Sequence, residues 1–316
     1  MAQTISHKKA VHEWPIYIMV VPSFAMVLTF CYFPVISAIY HSFFDWRGGD
    51  SKEFIGFANF LRALSDDQLH HSFLVIFILV VANLFKMIPS IAIAVFVHRL
   101  LSDKARYIYR VILVLPLIIP SLITLFIWKF FFDPNFGPLN AFLDVTGIKN
   151  LLIWLDANFL KWGVFLPDVP ISWLSQPQLI IPSLIIWGFP WIGVTGVLIF
   201  LAGLESIGSE VYEAAELDGV GPISKFFYIE LPLILTQIRL NLILMIIGTL
   251  QGFGLQLLLL GESGGPGGAG MVPGLWMYNR AFFAGEFGYA CAIGLIIFFF
   301  ILVLTWVNNK FVRIDK

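Results

Sequence analysis

The sequence comprises 316 residues, 59% hydrophobic and only 12% charged, with 19 Lys and Arg against 20 Asp and Glu for a net charge of −1. Soluble domains draw on about 25% charged residues to face water, so this composition excludes a soluble globular enzyme. The near-zero balance leaves no basic excess for nucleic acid and no acidic tail.

Uncharged runs, counted between Lys, Arg, Asp and Glu, extend for 31 residues from Trp14 to Phe44, 36 from Val169 to Leu204, 22 from Leu240 to Gly261 and 23 from Phe287 to Asn309. Each is long enough for a helix to cross a bilayer core, which takes about 20 residues. A lipid-facing backbone must satisfy its own N–H and C=O groups, and the runs lack the alternation of barrel strands, so they are read as helices.

In chain order, residues 1–13 form a short N-terminal segment in which Lys8 and Lys9 precede the first apolar run, as in a signal peptide. That run is longer than the 7 to 15 residues of a signal peptide's apolar region and contains Pro15, Pro22 and Pro34, so it is read as an uncleaved first span, 14–40. Span two covers 73–97 with Lys86 near its middle, where a charge costs a few kcal/mol. Lys86 therefore should face a helix bundle, a partner or a water-filled cavity, the structural alternative being a lysine capped by carbonyls in a helix interface. Span three covers 111–132, with Lys129 near its outer end and able to snorkel.

The outer segment 133–178 is the longest piece between spans and holds Trp154, Trp162 and Trp173. Tryptophans at headgroup level account for these; an external platform for a partner protein is the functional reading. Span four covers 179–201, and its Gly188, Pro190 and Gly193 should break or kink the helix. A loop, 203–239, leads to span five, 240–260, which ends in the glycine-rich stretch Gly261 to Gly270. Span six covers 289–307, and 311–316 form the tail of a 14–310 transmembrane domain.

Placing the N-terminus in the cytoplasm puts eleven Lys and Arg inside and six outside, so both termini are assigned to the cytoplasm. The fold class is an all-α polytopic membrane protein with six transmembrane helices. Cys31 and Cys291 sit in apolar runs and are read as small buried hydrophobes, with no metal site among them.

The loop on the cytoplasmic side reads GLESIGSEVYEAAELDGVGPISKFFYIELPLILTQIRL from Gly203 to Leu240. Ser209 is suited to cap a helix with Glu210 in its first turn, Gly219 or Gly221 to stop it, and Pro222 to start a second helix. Adjacent Ala214 and Ala215 would let another protein approach the backbone closely, with Glu213, Glu216 and Asp218 as charged partners around the contact.

The spacing of Glu213, Ala214, Ala215, Asp218, Gly219, Ile229, Leu231 and Pro232 resembles the EAA loop of the binding-protein-dependent ABC importer permeases, and Asp218 before Gly219 resembles the carbohydrate branch. The likeness extends to Arg110, Leu115, Pro116, Trp128, Gly137 and Asn140, to the segment near Gly56, and to Gly264 through Gly294, which is similar to the first-type subunit of the maltose or glycerol-phosphate kind. Gly208, Val220, Glu262 and Ser263 depart from that family's commoner residues.

The resemblance implies the type I importer permease fold and one half of a translocation path in a bacterial inner membrane. It implies an extracytoplasmic solute-binding protein, a second permease in a heterodimer, and a homo- or heterodimeric ATPase that docks on Glu213, Ala214, Ala215, Asp218, Gly219, Leu231 and Pro232. The sequence has no G-x-x-x-x-G-K-[ST] phosphate loop, so no cofactor is assigned to this chain, and ATP and Mg belong to the partner ATPase.

A sugar path needs amides, hydroxyls and flat aromatic faces. Span five offers Thr249, Gln251 and Gln256. Span four offers Trp187, Trp191 and Thr195, which at spacings of four share one helical face. Helix back-bonding by Thr, interhelical bonding by Gln and interfacial anchoring by Trp stand as structural alternatives. An importer for a non-sugar solute such as a glycerophosphodiester is the closest rival. A self-contained secondary transporter would need ionisable ligands, and the spans hold Lys86 without a carboxylate cluster. A membrane enzyme lacks its constellation, since His7, His12, His41, His70, His71 and His98 lie at span ends or in loops.

Overall fold

The computed structural model describes Trp14 and residues 17–311, so the predicted N-terminal segment 1–13, Pro15 and residues 312–316 of the tail lie outside the described residues. The chain divides into two compact units, one of residues up to Asp66 with Met277–Ile296, the other of Asp67–Trp276 with the residues from Ile297 onward.

The first unit opens with α1, Tyr17–His41, whose apolar stretch has none of its residues buried. Cys31 is exposed on it and Cys291 is half-buried, which corrects the expectation that both are core residues. A helix this apolar is stable with its side chains outward only where the surroundings are apolar too. Strands β1, Phe44–Trp46, and β2, Lys52–Phe54, form an antiparallel hairpin in register Phe44 to Phe54, followed by the short α2, Ala58–Ala63. Asn59 Nδ2 fastens this corner by donating to the carbonyls of Ser42 at 2.9 Å and Phe44 at 3.0 Å. Arg62 lies 4.0 Å over the Tyr289 ring and donates to Glu286 at 2.9 Å, while the Tyr289 hydroxyl donates to Asp66 at 2.6 Å. Burial raises the Glu286 carboxyl, but the hydrogen bond and charge of Arg62 with Arg280 outweigh it and hold the group below its ordinary value.

The second unit is built on α3, Asp67–His98, a 32-residue helix that carries Pro89. It is followed by α4, Asp103–Val114, and α5, Ser121–Phe131, and by the helices α6, Pro138–Thr146, and α7, Ile148–Leu155, of the segment predicted to lie outside. Next come α8, Pro177–Ile186, α9, Val194–Glu205, and α10, Ser209–Leu217. They are followed by α11, Pro222–Leu233, α12, Leu235–Gln251, and α13, Gly254–Leu260. Helices α14, Pro273–Phe282, and α15, Phe287–Phe311, complete the chain.

Ala94 and Val97 of α3 pack with Val197, Phe200, Leu201 and Leu204 of α9 and with Ile234 to form one core. Between α9 and α12 the approach is close enough that a Cβ on Gly203 would meet Gln237 at 2.6 Å. Small residues at such a crossing let helices pack where no hydrophobic effect drives them together.

Among the described residues, three helices, Tyr17–His41, Asp67–His98 and Phe287–Lys310, are long and apolar enough to cross a membrane singly. Three bent pairs bring the number to as many as six: Asp103–Ile118 with Ser121–Phe131 at 88°, Val194–Glu205 with Ser209–Leu217 at 72°, and Pro222–Leu233 with Leu235–Gln251 at 68°. Of these bends only the 88° one falls inside a predicted span, the third, at Ile119 and Pro120. The other two lie at 206–208 and at Ile234, outside predicted spans four and five, whose own helices are interrupted elsewhere. Pro116 and Pro120 interrupt the third, residues 187–193 the fourth, and Gly252 with Phe253 the fifth. Each proline removes a backbone donor, and glycine in a helix interior is costly.

The outer segment folds around Phe132, Leu143, Phe165, Ile171, Trp173 and Leu179. Trp173 is only 4% exposed and donates through Nε1 to Asn140 Oδ1 at 2.8 Å, so it is a core residue of this segment and not an interfacial anchor. Asn140 Nδ2 in turn donates to the carbonyls of Pro134 and Ile171 at 2.9 and 3.0 Å. Gly137 is required by space, since a Cβ there would lie 2.3 Å from the Asp133 carbonyl oxygen. Asp156 accepts backbone N–H bonds from Trp162, Gly163, Val164 and Phe165 between 2.6 and 3.1 Å. The Phe165 bond, then those of the other three, holds its carboxyl below the ordinary value against the opposing effect of burial.

Candidate functional site

Two features of the second unit concentrate the sequence-predicted residues: a pair of cavities with a few polar side chains in largely apolar walls, and the α10–α11 hairpin. One cavity, of about 530 Å3, is lined by Asn83, Lys86 and Ser90 of α3, by Trp187, Trp191 and Thr195, and by Asn241 of α12. The other, of about 350 Å3, shares Asn83, Lys86 and Trp187 and adds Thr249 and Gln256.

The break in the fourth predicted span shapes both cavities. Helix α8 stops at Ile186 and α9 begins at Val194, so Trp187 and Trp191 lie in an irregular segment. The shared helical face expected for Trp187, Trp191 and Thr195 is therefore replaced by a loop. Trp191 adopts a left-handed φ of +60°, a conformation that costs a non-glycine residue about 1–3 kcal/mol and persists only where neighbours enforce it. Its neighbours do so: Trp191 Nε1 donates to the Ile185 carbonyl at 2.9 Å, and Ser90 Oγ donates to the Trp191 carbonyl at 3.3 Å while accepting the Gly193 N–H at 2.9 Å.

Lys86 Nζ donates to the carbonyls of Leu184 at 3.2 Å and Trp187 at 3.5 Å, at the C-terminal end of α8. The carbonyl-capped and cavity-facing readings of this lysine thus hold together. Asn83 Nδ2 donates to Thr249 Oγ1 at 3.0 Å, and Gln256 is buried. Gln251 is exposed at the end of α12 and lines neither of these two cavities. Sequence reasoning missed Asn83, Ser90 and Asn241. The signal was present, because Asn83, Lys86 and Ser90 fall at spacings of three and four, the repeat of one helical stripe.

In the hairpin, Gly208 takes the capping position, with an extended backbone at φ −62° and ψ 147°, and Ser209 is the first helical residue without a capping hydrogen bond. That corrects the expected Ser209 cap. Gly219 takes a left-handed φ of +69° and ends the helix as expected, and Pro222 opens α11. Ala215 is buried, whereas Glu213, Ala214, Asp218, Gly219 and Pro232 are exposed and Leu231 is half-buried. Leu217, Ile223 and Tyr228 are 90%, 75% and 81% exposed, an apolar surface beside the alanines.

The hairpin is fastened to the end of α3 by two contacts absent from the sequence reading. Arg99 binds Glu230 in a forked pair, Nη2 to Oε2 at 2.7 Å and Nε to Oε1 at 3.2 Å, and its Nη2 also donates to the Pro222 carbonyl at 2.9 Å. Glu230 is fully buried. Beside it, His98 Nε2 and the Tyr212 hydroxyl are 3.1 Å apart. Burial, then the charge of Glu230, pushes that hydroxyl up to about 12, so it stays protonated. Arg110 pairs with Glu205, joining α4 to the end of α9.

Residues 90–313 match the family model described as a binding-protein-dependent transport system inner membrane component. The trehalose/maltose transport system permease protein MalF of Thermococcus litoralis is 28% identical over 302 residues, which cover 95% of this chain and 94% of that protein. The maltose/maltodextrin transport system permease protein MalF of Photorhabdus laumondii is 31% identical over 274 residues, 82% of this chain but 49% of that longer protein. A solved structure, that of a bacterial ABC transporter involved in the import of the acidic polysaccharide alginate, contains a chain matching at TM-score 0.78 and 22% identity. That match covers 98% of this chain and 99% of the other, a likeness of fold.

Proposed function

The chain belongs to the binding-protein-dependent transport system inner membrane components, and from that premise we propose that it is the permease of an ATP-driven sugar importer. It spans the inner membrane six times with both termini inside, the broken helices each counting as part of one span. Residues 14–310 form the permease domain, with 1–13 and 311–316 in the cytoplasm. It forms half of the path with a second, different permease. A binding protein delivers a sugar or oligosaccharide from outside, and a paired ATPase holding ATP and Mg docks from within. This chain performs no hydrolysis.

The observation that carries the reading is the α10–α11 hairpin, an exposed helical joint stopped by a left-handed glycine and tied to α3 by a buried ion pair. Glu213, Ala214, Asp218, Gly219, Leu231 and Pro232 form its working surface, with Ala215 packed beneath it. Ala214 lets the ATPase approach the backbone, Leu217 and Ile223 bury apolar area against it, and the acidic residues pair at the rim. Closure of the ATPase around ATP moves the hairpin as a rigid lever, and Arg99 passes that movement to α3. This is rigid-body switching between two packed states, biased by both nucleotide and binding protein.

The path runs through the two cavities. Trp187 and Trp191 offer flat faces to sugar C–H edges, while Asn83, Ser90, Thr195, Asn241, Thr249 and Gln256 supply hydrogen-bond partners. Gln251 stands at its margin. The test is reconstitution with the neighbouring permease, ATPase and binding protein. Sugar uptake that requires all four chains and is lost with Gly219→Trp at full assembly supports the reading; uptake by this chain alone, or unaltered uptake by the variant, refutes it.

A further inference from the structure

Among the described residues, Lys86 contributes the one charge in the walls of either cavity. Their linings hold no Asp and no Glu, and its two hydrogen-bond acceptors are backbone carbonyls. Those carbonyls end α8, where the summed helix dipole amounts to about half a negative charge, so they offset only part of a full cation. An ammonium has three N–H donors, and the two carbonyls occupy two of them.

The setting fits a mixed ligand. Lys86 Nζ sits 6.0 Å from the Trp191 ring centroid, and the Trp187 ring lines both cavities beside it. A saccharide ring lying on a tryptophan face therefore presents an equatorial substituent to the ammonium, with the amides of Asn83 and Asn241 on the same walls to meet its hydroxyls. Between these largely apolar walls a neutral substituent would leave the ammonium without a counter-charge from protein or ligand, whereas an anionic one would supply it. The mixture of cavities, rings and amides suits any sugar; the unmatched cation suits only some.

We propose that Lys86 makes the path selective for saccharides that carry an anionic group, a carboxylate as in a uronic acid or a phosphate ester. The proposal rests on the cavities being the sugar path. Lys86 acts by charge pairing and not by catalysis, so no bond is made or broken.

The test measures binding to the assembled transporter in nanodiscs by saturation-transfer NMR, with three disaccharide probes of one linkage: glucose–glucose, glucuronate–glucose and 6-phosphoglucose–glucose. A hydrogen bond to a charged group contributes about 1.5–3 kcal/mol, which converts to a preference of about 10- to 150-fold for the anionic probes. Lys86→Met should reduce that preference, taken as the ratio of affinities for anionic and neutral probes, to near unity, and Lys86→Arg should retain it. Raising salt should shrink the preference in the wild-type protein, a reading that needs no variant to fold. Whichever anionic probe binds more tightly identifies carboxylate or phosphate as the group read. A neutral probe that binds as tightly as both anionic ones, or a preference that survives Lys86→Met, overturns the proposal and leaves the path reading standing. Binding of no probe in the wild-type protein overturns the path reading itself, and the proposal with it.

Discussion

Arg99→Ala tests the fastening of the hairpin directly. Glu230 is fully buried and both its oxygens accept from Arg99, at 2.7 and 3.2 Å. Removing the guanidinium leaves a carboxylate without its counter-charge and frees the Pro222 carbonyl as well. Deleting one partner of a buried pair costs about 3–5 kcal/mol, and the lower end applies because the Arg99 side chain is itself 32% exposed, so water reaches the vacated space. About 3 kcal/mol is a large share of the 5–15 kcal/mol that stabilises a typical protein, yet the loss is local to the hairpin. Binding-protein-stimulated ATPase activity should therefore fall steeply while basal hydrolysis by the partner subunits persists. The double variant Arg99→Met with Glu230→Met removes the unpaired charge and should recover most of the thermal stability but little of the stimulation, since the forked geometry is gone. Wild-type stimulation and melting in Arg99→Ala would refute the claim that this pair transmits the movement.

Gly219→Val should destabilise the turn by about 1–2 kcal/mol through backbone conformation alone, because nothing lies within 4 Å of a Cβ there; Gly219→Asn should retain more sugar uptake than Gly219→Val in the same vesicles. Gly137→Ala should loosen the outer segment by about 1–3 kcal/mol, read as faster proteolysis between residues 133 and 178, because its Cβ would overlap the Asp133 carbonyl. The Asp156 carboxyl is held below its ordinary value, so its contribution is fully present above the ordinary carboxylate range and is lost as pH falls through the lowered value. Protease protection of the outer segment should accordingly survive mild acid in the wild-type protein, and be weaker at neutral pH in Asp156→Ala.

The helices Tyr17–His41, Asp67–His98 and Phe287–Lys310, the hairpin and its glycine stop were legible because each depends on local chemistry. Uncharged length marks a span, and Gly219 with Pro222 marks a turn between helices whatever surrounds them. Ser209 was misread for an equally local reason: Gly208 takes the extended conformation without penalty and so serves as the cap position itself. The Trp187, Trp191 and Thr195 stripe failed because helical spacing was applied across Gly188, Pro190 and Gly193, the residues already expected to break the helix. A spacing argument has no force across its own breaker.

What stayed hidden was pairing between distant segments. Arg99 and Glu230 are 131 residues apart and Asn83 and Thr249 are 166 apart, and no periodicity links such partners. Glu230 shows what this omission costs. Beside Leu231 and Pro232 it reads as one more acidic residue of a solvated loop, whereas in the fold it is wholly buried and joins the joint to the helix carrying Asn83, Lys86 and Ser90. The same helix α3 thus bears both the hairpin's anchor and one wall of the cavities. On the proposed mechanism, a displacement of the anchor along α3 would reach the cavity wall through the helix backbone, past Pro89, which lies between Arg99 and Lys86.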